Sequence, residues 1–275
     1  MEAKKFGLIG HPVGHSLSAV MHNRVFKELN LPHTYEAFDV LPENLENFIA
    51  TTSLDGLNVT IPHKVAVMRF LDELDQSAKD IHAVNTIHFN DIKMGHNTDG
   101  IGFTKSLEEE GIKIKGKNVL VVGAGGASRA ILSSLVQNEA NVTLTNRTRE
   151  KAEILIFEMG EQELVKILDY TPEKLKEVLQ ETDIIVNTTS LGMHPNVDTS
   201  PIPKEFLKPN HVIFDAVYNP IETKLIKDAK SIGCKTISGV SMLVHQGAQS
   251  LRIWLGIEPP IQIMKDAVME KLISQ

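Results

Sequence analysis

Short runs of β-branched and other apolar residues alternate along the chain with longer segments in which apolar residues recur at helical spacing. This alternation predicts an α/β protein with mostly parallel sheets. In the first part it predicts strands at 6–9, 34–39, 56–59 and 84–89, and helices at 18–29, 43–51 and 65–70. In the second part it predicts strands at 119–122, 142–145, 183–187, 212–215 and 236–237, with helices between them.

A change of organisation is predicted between Gly100 and Gly116, where a helical pattern at 103–109 joins a polar loop to the next strand. The last two segments, 242–254 and 261–272, are helical after the strand pattern has ended. We expect these two helices to return and cover the first domain.

A glycine-rich turn follows the buried strand Val119–Val122 and leads into a helix that begins near Ala127. Gly123, Gly125 and Gly126 allow the backbone to turn sharply and to approach a pyrophosphate closely. The start of the helix would direct free N–H groups and the positive end of its dipole at the phosphates. The strand–turn–helix context therefore favours a dinucleotide site over a purely structural turn.

The end of the next strand indicates which dinucleotide. A domain that binds NAD usually carries an acid there for the ribose 2′-hydroxyl. Here the strand leads into Asn146, Arg147, Thr148 and Arg149, without an acid. Guanidinium groups form forked hydrogen bonds with a 2′-phosphate. The pattern favours NADP, although two solvated arginines at the start of a helix would give the same sequence.

Composition and charge exclude several classes of protein. The chain has 275 residues, of which 42% are hydrophobic, and a net charge of −7, which argues against nucleic acid as a partner. The single Cys234 fits a reducing compartment. No segment is predicted to be a signal peptide or a membrane helix, so we expect a cytoplasmic protein. The histidines show no metal-ligand spacing, and we expect no metal.

Two polar clusters follow predicted strands of the first part. Ser16 and Ser18 could bind one carboxylate together if the chain is extended, although Ser18 could also be a helix N-cap. Asn58 and Thr60 share one strand face, and Lys64 lies in the first turn of the next helix. A cation is unfavourable at that position, which suggests a function or a nearby anion, against the alternative of a solvated lysine.

Two further clusters lie later in the chain. Asn85-Thr86 and Asn97-Thr-Asp-Gly100 contain polar residues typical of turns, and Asp99 could be either a capping residue or a catalyst. Gln246 lies in an otherwise apolar helix, where a buried amide needs a partner such as a polar substrate.

Together these motifs resemble the shikimate dehydrogenase family along essentially the whole chain. The resemblance rests on motifs in the following order: His15-Ser-Leu-Ser18, Met21-His-Asn23, Asn58-Val-Thr-Ile-Pro-His-Lys64, Ala83-Val-Asn-Thr86, Asn97-Thr-Asp-Gly100, Gly123-Ala-Gly-Gly-Ala127, Asn146-Arg-Thr148, Asn187-Thr-Thr-Ser-Leu-Gly-Met193, Asp215-Ala-Val-Tyr218 and Met242-Leu-Val-His-Gln-Gly247. Each motif is modest, but their order and joint presence are highly specific.

The resemblance implies a two-domain α/β fold. Residues 1–104 and 240–275 would form the substrate-binding catalytic domain, to which the C-terminal helices return, and residues 105–239 an NADP-binding Rossmann domain. It implies reversible, NADP-dependent reduction of 3-dehydroshikimate to shikimate in aromatic amino-acid biosynthesis. The partner would be this small-molecule substrate, with neither nucleic acid nor membrane, and the protein would be a monomer or a homodimer.

The resemblance also assigns roles to residues. Lys64 and Asp99 would form the catalytic pair. The substrate carboxylate would be bound by Ser16, Ser18 and Tyr218, and the ring hydroxyls by Asn58, Thr60, Asn85, Asp99 and Gln246. The cofactor would be bound by Gly123, Ala124, Gly125, Gly126 and Ala127 at the pyrophosphate, by Asn146, Arg147, Thr148 and Arg149 around the 2′-phosphate, and by Thr188, Met193, Gly239 and Met242 near the nicotinamide.

The sequence departs from the family pattern at a few positions, of which Thr188, where alanine is usual, lies in the predicted cofactor site. Three alternatives stay open at this point. One is a quinate/shikimate dehydrogenase that also uses NAD. The second is a non-catalytic metabolite-binding regulator on the same fold. The third is a folate-linked dehydrogenase on a similar two-domain plan, which would not need the paired serines.

Overall fold

A computed structural model describes residues 2–274 of the chain. The chain forms two compact units. The first contains residues up to Gly102 and residues from Leu243 onward, and the second contains Phe103–Met242. Within the described residues, no helix is long and apolar enough to cross a membrane.

The strands are β1 Lys5–Gly10, β2 Thr34–Asp39, β3 Gly56–Val59, β4 Glu73–Leu74, β5 Thr86–Phe89, β6 Lys93–His96, β7 Asn118–Val122, β8 Asn141–Asn146, β9 Val165–Asp169, β10 Ile184–Asn187, β11 Val212–Asp215 and β12 Lys235–Ser238. The helices are α1 Ser18–Glu28, α2 Leu45–Thr51, α3 His63–Ala66, α4 Gln76–Ile81, α5 Asp99–Glu109, α6 Gly126–Gln137, α7 Arg149–Met159, α8 Pro172–Val178, α9 Lys224–Ile232, α10 Gly239–Leu255 and α11 Ile261–Ile273. The chain passes from the first unit to the second within α5 and returns to the first unit within α10.

The sheet of the first unit has the order β2-β1-β3-β5-β6-β4 and is mixed. β1 is parallel to β2 and β3, but β5 is antiparallel to both β3 and β6. β4 pairs with β6 in parallel, so three of the five strand pairs of this sheet are parallel, as predicted, and the antiparallel β5 is the exception. β4 and β6 are missing from the sequence prediction, because β4 has only two residues and β6 contains a glycine among polar residues.

The C-terminal helices pack in the first unit, as predicted. α11 packs against α1, where Arg24 pairs with Glu270. Trp254 at the end of α10 stacks on Phe6 of β1 with ring centroids 4.9 Å apart, and its indole N–H donates to the Ile87 carbonyl at 2.9 Å.

The sheet of the second unit is parallel throughout, in the order β12-β11-β10-β7-β8-β9. Alternate residues of β7 enter two different hydrophobic clusters: Val119 and Val121 pack with α6 and α7, whereas Leu120 and Val122 pack with α8 and α9. Helices therefore cover both faces, which confirms the predicted Rossmann-type architecture. Because the strand order reverses between β7 and β10, the crevice at their carboxyl ends is the expected ligand position.

Candidate active site

The polar motifs of the first unit meet at one edge of its sheet because of the strand directions. β1 and β3 are parallel and end side by side, with Ile9 opposite Val59. β5 runs the other way, so it begins where β3 ends, and β6 ends where β5 begins. The segments after β1, β3 and β6 and the segment before β5 consequently converge.

Lys64 and Asp99 form an ion pair at this edge. The Lys64 Nζ lies 2.5 Å from the Asp99 Oδ2, and the two side chains are only 17% and 9% exposed. The amide of Asn85 donates to the other carboxylate oxygen, Oδ1, at 2.9 Å. The anion suggested by the unfavourable position of Lys64 is therefore Asp99, and both oxygens of its carboxylate are held by donors.

The loop that carries Asp99 is anchored from α4. The Asn97 side chain accepts a hydrogen bond from the Asp99 N–H, while the Asn97 N–H donates to the Ser77 hydroxyl at 2.9 Å. Ser77 in turn donates to Asp75, the N-cap of α4, which also binds the His96 ring at 2.6 Å. The position of Asp99 thus depends on a second carboxylate below the loop.

Asn58 is the centre of a buried hydrogen-bond network. Its Oδ1 accepts from the Tyr35 hydroxyl at 2.7 Å, and its Nδ2 lies within 3.1 Å of the Thr86 and Ser250 hydroxyls and the Asn85 carbonyl. Asn58 is only 4% exposed. Its amide orientation is fixed by these partners, which leaves Oδ1 able to accept one further hydrogen bond.

Asn85 extends the network towards the catalytic pair and Gln246. Its Oδ1 accepts from the Thr98 N–H at 2.8 Å, and its Nδ2 also approaches the Gln246 Oε1 at 3.3 Å. Gln246 donates from its own amide to the Leu243 carbonyl. The predicted residues Asn58, Asn85, Asp99 and Gln246 are therefore joined to one another by hydrogen bonds.

The hydroxyls of Ser16 and Ser18 lie 3.2 Å apart. They approach each other although the chain is not extended between them, because Leu17 has helical dihedral angles. Ser18 is the first residue of α1 and not its N-cap, which is Leu17, and the Ser16 Oγ accepts the N–H of Ser18. Ser18 also hydrogen-bonds the Tyr35 hydroxyl, which connects this pair to the Asn58 network.

Thr60 follows β3 directly and is half-buried. Its hydroxyl has no hydrogen-bond partner within residues 2–274. This hydroxyl is available to a ligand.

Sequence reasoning missed two members of the network, Tyr35 and Ser250, and identified Thr86 only as part of a polar motif. Ser250 lies one helical turn after Gln246, which is a usable signal for a shared face. Tyr35 carries no local signal, because its partner Asn58 is 23 residues away.

In the second unit the glycine turn after β7 presents free N–H groups. Gly123 has φ +113°, a backbone conformation that favours glycine. The N–H of Ala124 donates to Asn146 and that of Gly125 to Ser128. The N–H groups of Gly126 and Ala127 have no partner among the described residues. The turn thus offers two donors at the N-terminus of α6.

The space around two of these glycines is open. A Cβ added at Gly125 or Gly126 would meet no protein atom within 4 Å, and neither residue has a positive φ. Packing within the chain therefore does not require glycine at either position. A glycine at these positions instead allows a phosphate group to approach the backbone closely, so this turn fits the pyrophosphate of a dinucleotide.

The segment after β8 is linked to the glycine turn through Asn146. Its Oδ1 accepts from Ala124 and its Nδ2 donates to the Thr148 carbonyl at 2.7 Å. Arg147 is exposed and has no side-chain hydrogen bond or ion pair in the described chain. Arg149, in contrast, already binds two carboxylates, those of Glu153 and Asp169. The two arginines predicted as phosphate ligands therefore differ in availability.

Thr188 follows β10, where its hydroxyl lies 2.9 Å from the Val122 carbonyl oxygen and 2.7 Å from the Ser128 Oγ. The Ser128 hydroxyl also donates to the Gly123 carbonyl at 2.7 Å. These two hydroxyls support the glycine turn from within the protein, so the polar atom of Thr188 is used there.

The remaining predicted residues of this unit lie in different surroundings. Met193 is 44% exposed, whereas Met242 is buried in a core cluster. A Cβ at Gly239 would lie 2.2 Å from the Ala216 oxygen, so packing alone explains this glycine. Burial raises the pKa of Tyr218, which keeps its hydroxyl protonated as a donor.

Asp215, three residues before Tyr218, is a fully buried carboxyl group. It accepts hydrogen bonds from Asn187, the Val217 N–H and Thr223. Burial raises its pKa to about 6 despite these hydrogen bonds. The group ties together the ends of β10 and β11 and the start of α9.

Three family models match the chain. The shikimate dehydrogenase substrate binding domain matches residues 8–87, shikimate / quinate 5-dehydrogenase matches residues 105–223, and the shikimate 5′-dehydrogenase C-terminal domain matches residues 239–269.

Individual relatives agree with these matches. Shikimate dehydrogenase (NADP(+)) of Methanocaldococcus jannaschii is 47% identical over 98% of both chains. A crystal structure of a shikimate dehydrogenase in complex with NADP+ superposes with a TM-score of 0.92 at 46% identity, covering 98% of this chain and 96% of that one. The Thermus thermophilus shikimate 5-dehydrogenase in complex with NADP(H) and shikimate has a TM-score of 0.87 at 34% identity, covering 97% and 99%. The resemblance predicted from the motifs is confirmed, and the chain belongs to the shikimate dehydrogenase family.

Proposed function

We propose that this protein catalyses the reversible, NADP-dependent reduction of 3-dehydroshikimate to shikimate, a step of aromatic amino-acid biosynthesis. The observation that carries the proposal is the ion pair of Lys64 and Asp99, whose carboxylate is also held by Asn85. A binding protein without catalysis does not need a buried ammonium group fixed in this way. The non-catalytic alternative is therefore disfavoured.

The substrate has two ends that the first unit can recognise. The Ser16 and Ser18 hydroxyls, 3.2 Å apart, would donate to its carboxylate, while the role of Tyr218 stays a prediction of the family resemblance. Thr60 and the free acceptor position of Asn58 would bind ring hydroxyls, together with Asn85 and Gln246. Since every one of these groups is polar and mostly fixed by neighbours, the site would bind the substrate in one orientation.

NADP, when bound, supplies the hydride that reaches the C3 carbonyl carbon of the substrate. Lys64 would polarise the carbonyl oxygen, and Asp99 would hold both the ammonium group and the adjacent hydroxyl. The carbonyl oxygen would gain its proton from this pair. In the reverse direction the same pair would take the proton from the C3 hydroxyl.

The cofactor would lie along the carboxyl edge of the second sheet. The free N–H groups of Gly126 and Ala127 would bind the pyrophosphate, next to Gly123, Ala124 and Gly125. Asn146, Arg147 and Thr148 would surround the 2′-phosphate, and the Arg147 side chain has no hydrogen bond or ion pair within the described residues. Thr188, Met193, Gly239 and Met242 stay predictions for the nicotinamide end. Since β8 ends in Asn146 rather than in an acid, NADP is favoured over NAD.

The assay that tests the proposal follows NADPH absorbance with and without 3-dehydroshikimate. Lys64→Ala should lower kcat by about 10²–10⁴, the range typical for the loss of an acid–base group, and change shikimate binding much less. Lys79→Ala, an exposed lysine of α4, is the matched control and should leave the rate unchanged. No oxidation of NADPH by the wild type, or a Lys64→Ala variant with normal kcat, would contradict the proposal.

We also propose a cytoplasmic location, on the basis of the biosynthetic family and the single cysteine. A monomer or a homodimer is proposed as the oligomeric state, and sedimentation of the purified protein distinguishes the two.

A further inference from the structure

We propose that Arg149 determines cofactor specificity indirectly, by neutralising Asp169, and does not itself bind the cofactor. Asp169 would otherwise place a negative charge beside the 2′-phosphate of NADP. This inference rests on the proposed use of NADP.

Strand register places Asp169 at the end of the sheet where the adenosine ribose is expected. β8 and β9 are parallel, and Asp169, the last residue of β9, lies opposite Asn146, the last residue of β8. Neighbouring strands are about 4.8 Å apart, so the two strand ends adjoin each other. The segment following β9 also lies close to Arg147, whose charge affects the hydroxyl of Tyr170. The second unit therefore does carry an acid near the predicted ribose position, on the neighbouring strand.

The side chain of Arg149 is committed to carboxylates. Its Nη1 lies 2.6 Å from the Asp169 Oδ1, and its Nε lies 2.7 Å from the Glu153 Oε1. Nε–H belongs to the side edge of the guanidinium group and Nη1–H to its end edge, so each of the two forked edges already has one donor bound to a carboxylate. A 2′-phosphate would have to displace two carboxylates to reach Arg149, whereas Arg147 is free. The two arginines therefore have different roles: Arg147 attracts the 2′-phosphate, and Arg149 neutralises the negative charge of Asp169.

The consequence for selectivity follows from charge. An unpaired carboxylate at a strand end next to the ribose is what NAD sites use to bind the 2′-hydroxyl and to repel a 2′-phosphate. For a carboxylate about 8 Å from a dianionic phosphate, in a medium with an effective dielectric constant of about 40–80, Coulomb's law predicts about a five- to thirtyfold loss of affinity. NAD carries no phosphate at this position and should not show this loss.

The test is a double-mutant cycle measured by isothermal titration calorimetry with NADP and with NAD, without substrate. Arg149→Ala should weaken NADP about five- to thirtyfold and leave NAD within about twofold. Asp169→Asn in the Arg149→Ala background should restore most of the NADP affinity. The loss should also decrease as salt is raised, because both groups are exposed to solvent. The matched control is Lys117→Ala. It removes a lysine that pairs with Asp183 and lies just before β7, at the amino ends of the strands and away from the predicted cofactor site.

Two results would overturn the proposal. If Arg149 binds the phosphate directly, Asp169→Asn will not rescue Arg149→Ala. If Arg149 is only structural, NADP and NAD will weaken equally. A wild type that binds NAD more tightly than NADP would instead contradict the proposed cofactor itself, which the same titrations detect separately.

Discussion

Tyr35→Phe tests whether the buried network behind the substrate site is one connected structure. The Tyr35 hydroxyl donates to the Asn58 Oδ1 at 2.7 Å and also contacts Ser18, so it joins the two predicted ends of the substrate site. Burial raises its pKa far above the usual range, so it is a neutral donor at every working pH. Phenylalanine fills the same space and keeps the stacking on His22, at 4.3 Å between ring centroids.

The expected cost comes from the acceptor that is left behind. Tyr35 and Asn58 are only 2% and 4% exposed, so water does not replace the lost donor. Leaving a buried carbonyl unsatisfied costs about 1–3 kcal/mol, and the free energy of unfolding should fall by that amount. Asn58 also loses the contact that fixes its amide, so we expect the substrate KM to rise about three- to tenfold with kcat nearly unchanged.

Urea denaturation and steady-state kinetics measure the two effects, with Tyr170→Phe as the control. The Tyr170 hydroxyl also donates to a single acceptor, the Pro201 carbonyl at 2.6 Å, but the residue is only partly buried and lies in the other unit. Its loss should cost about 1 kcal/mol or less and leave the substrate KM unchanged. If Tyr35→Phe is as stable as the control and has a normal KM, the network does not hold Asn58.

Three further outcomes are expected. Burial raises the pKa of Asp75, but hydrogen bonds from its neighbours have the larger effect and lower the pKa to about 2. The stability that ionised Asp75 adds to the fold is therefore fully present above about pH 4 and is lost as the pH falls through 2. Asp75→Ala should lower the unfolding free energy by about 1–2 kcal/mol at pH 7, with a smaller difference at acid pH in urea titrations. Gly125→Ala should unfold like the wild type but bind NADP more weakly in calorimetry, because a Cβ there would meet no protein atom within 4 Å. Gly56→Ala is the contrasting variant, since its Cβ would lie 2.5 Å from the Trp254 indole. It should lower the free energy of unfolding by about 1–3 kcal/mol and change the fluorescence of the single tryptophan. Arg147→Ala should weaken NADP by roughly 2–3 kcal/mol and hardly affect NAD, and equal losses in assays with both cofactors would refute a role at the phosphate.

The parts of the molecule that sequence predicts well are those encoded by neighbouring residues. The strand, glycine turn and helix from Val119 to Val136 are contiguous, and each step has its own local signal. Lys64 was identified because a cation at the start of a helix is unfavourable without an anion, and the structure supplies Asp99. β3 was predicted at its observed bounds, Gly56–Val59, where Leu57 and Val59 alternate with Asn58.

What sequence does not predict depends on pairs that are distant in the chain. Asn58 and Ser250 are 192 residues apart, and neither residue type indicates a buried partner by itself. The short strands β4 and β6 form only because neighbouring strands provide their hydrogen bonds. Arg149 is another example. The sequence after β8 predicts a cation that could bind phosphate, but only the pairing of β8 with β9 shows that this cation forms an ion pair with Asp169.

The two halves of the candidate site should therefore respond differently to substitution. In the first unit the side chains that would bind substrate also hold one another, so a change at Asn58 or Asn85 alters both stability and binding. In the second unit the N–H groups of Gly126 and Ala127, proposed to bind phosphate, belong to the backbone and have no partner among residues 2–274. Side-chain changes beside that turn can alter cofactor affinity without loosening the fold. Cofactor preference is thus the property of this protein that can change at the lowest cost in stability, whereas recognition of the substrate is bound to the integrity of the first unit.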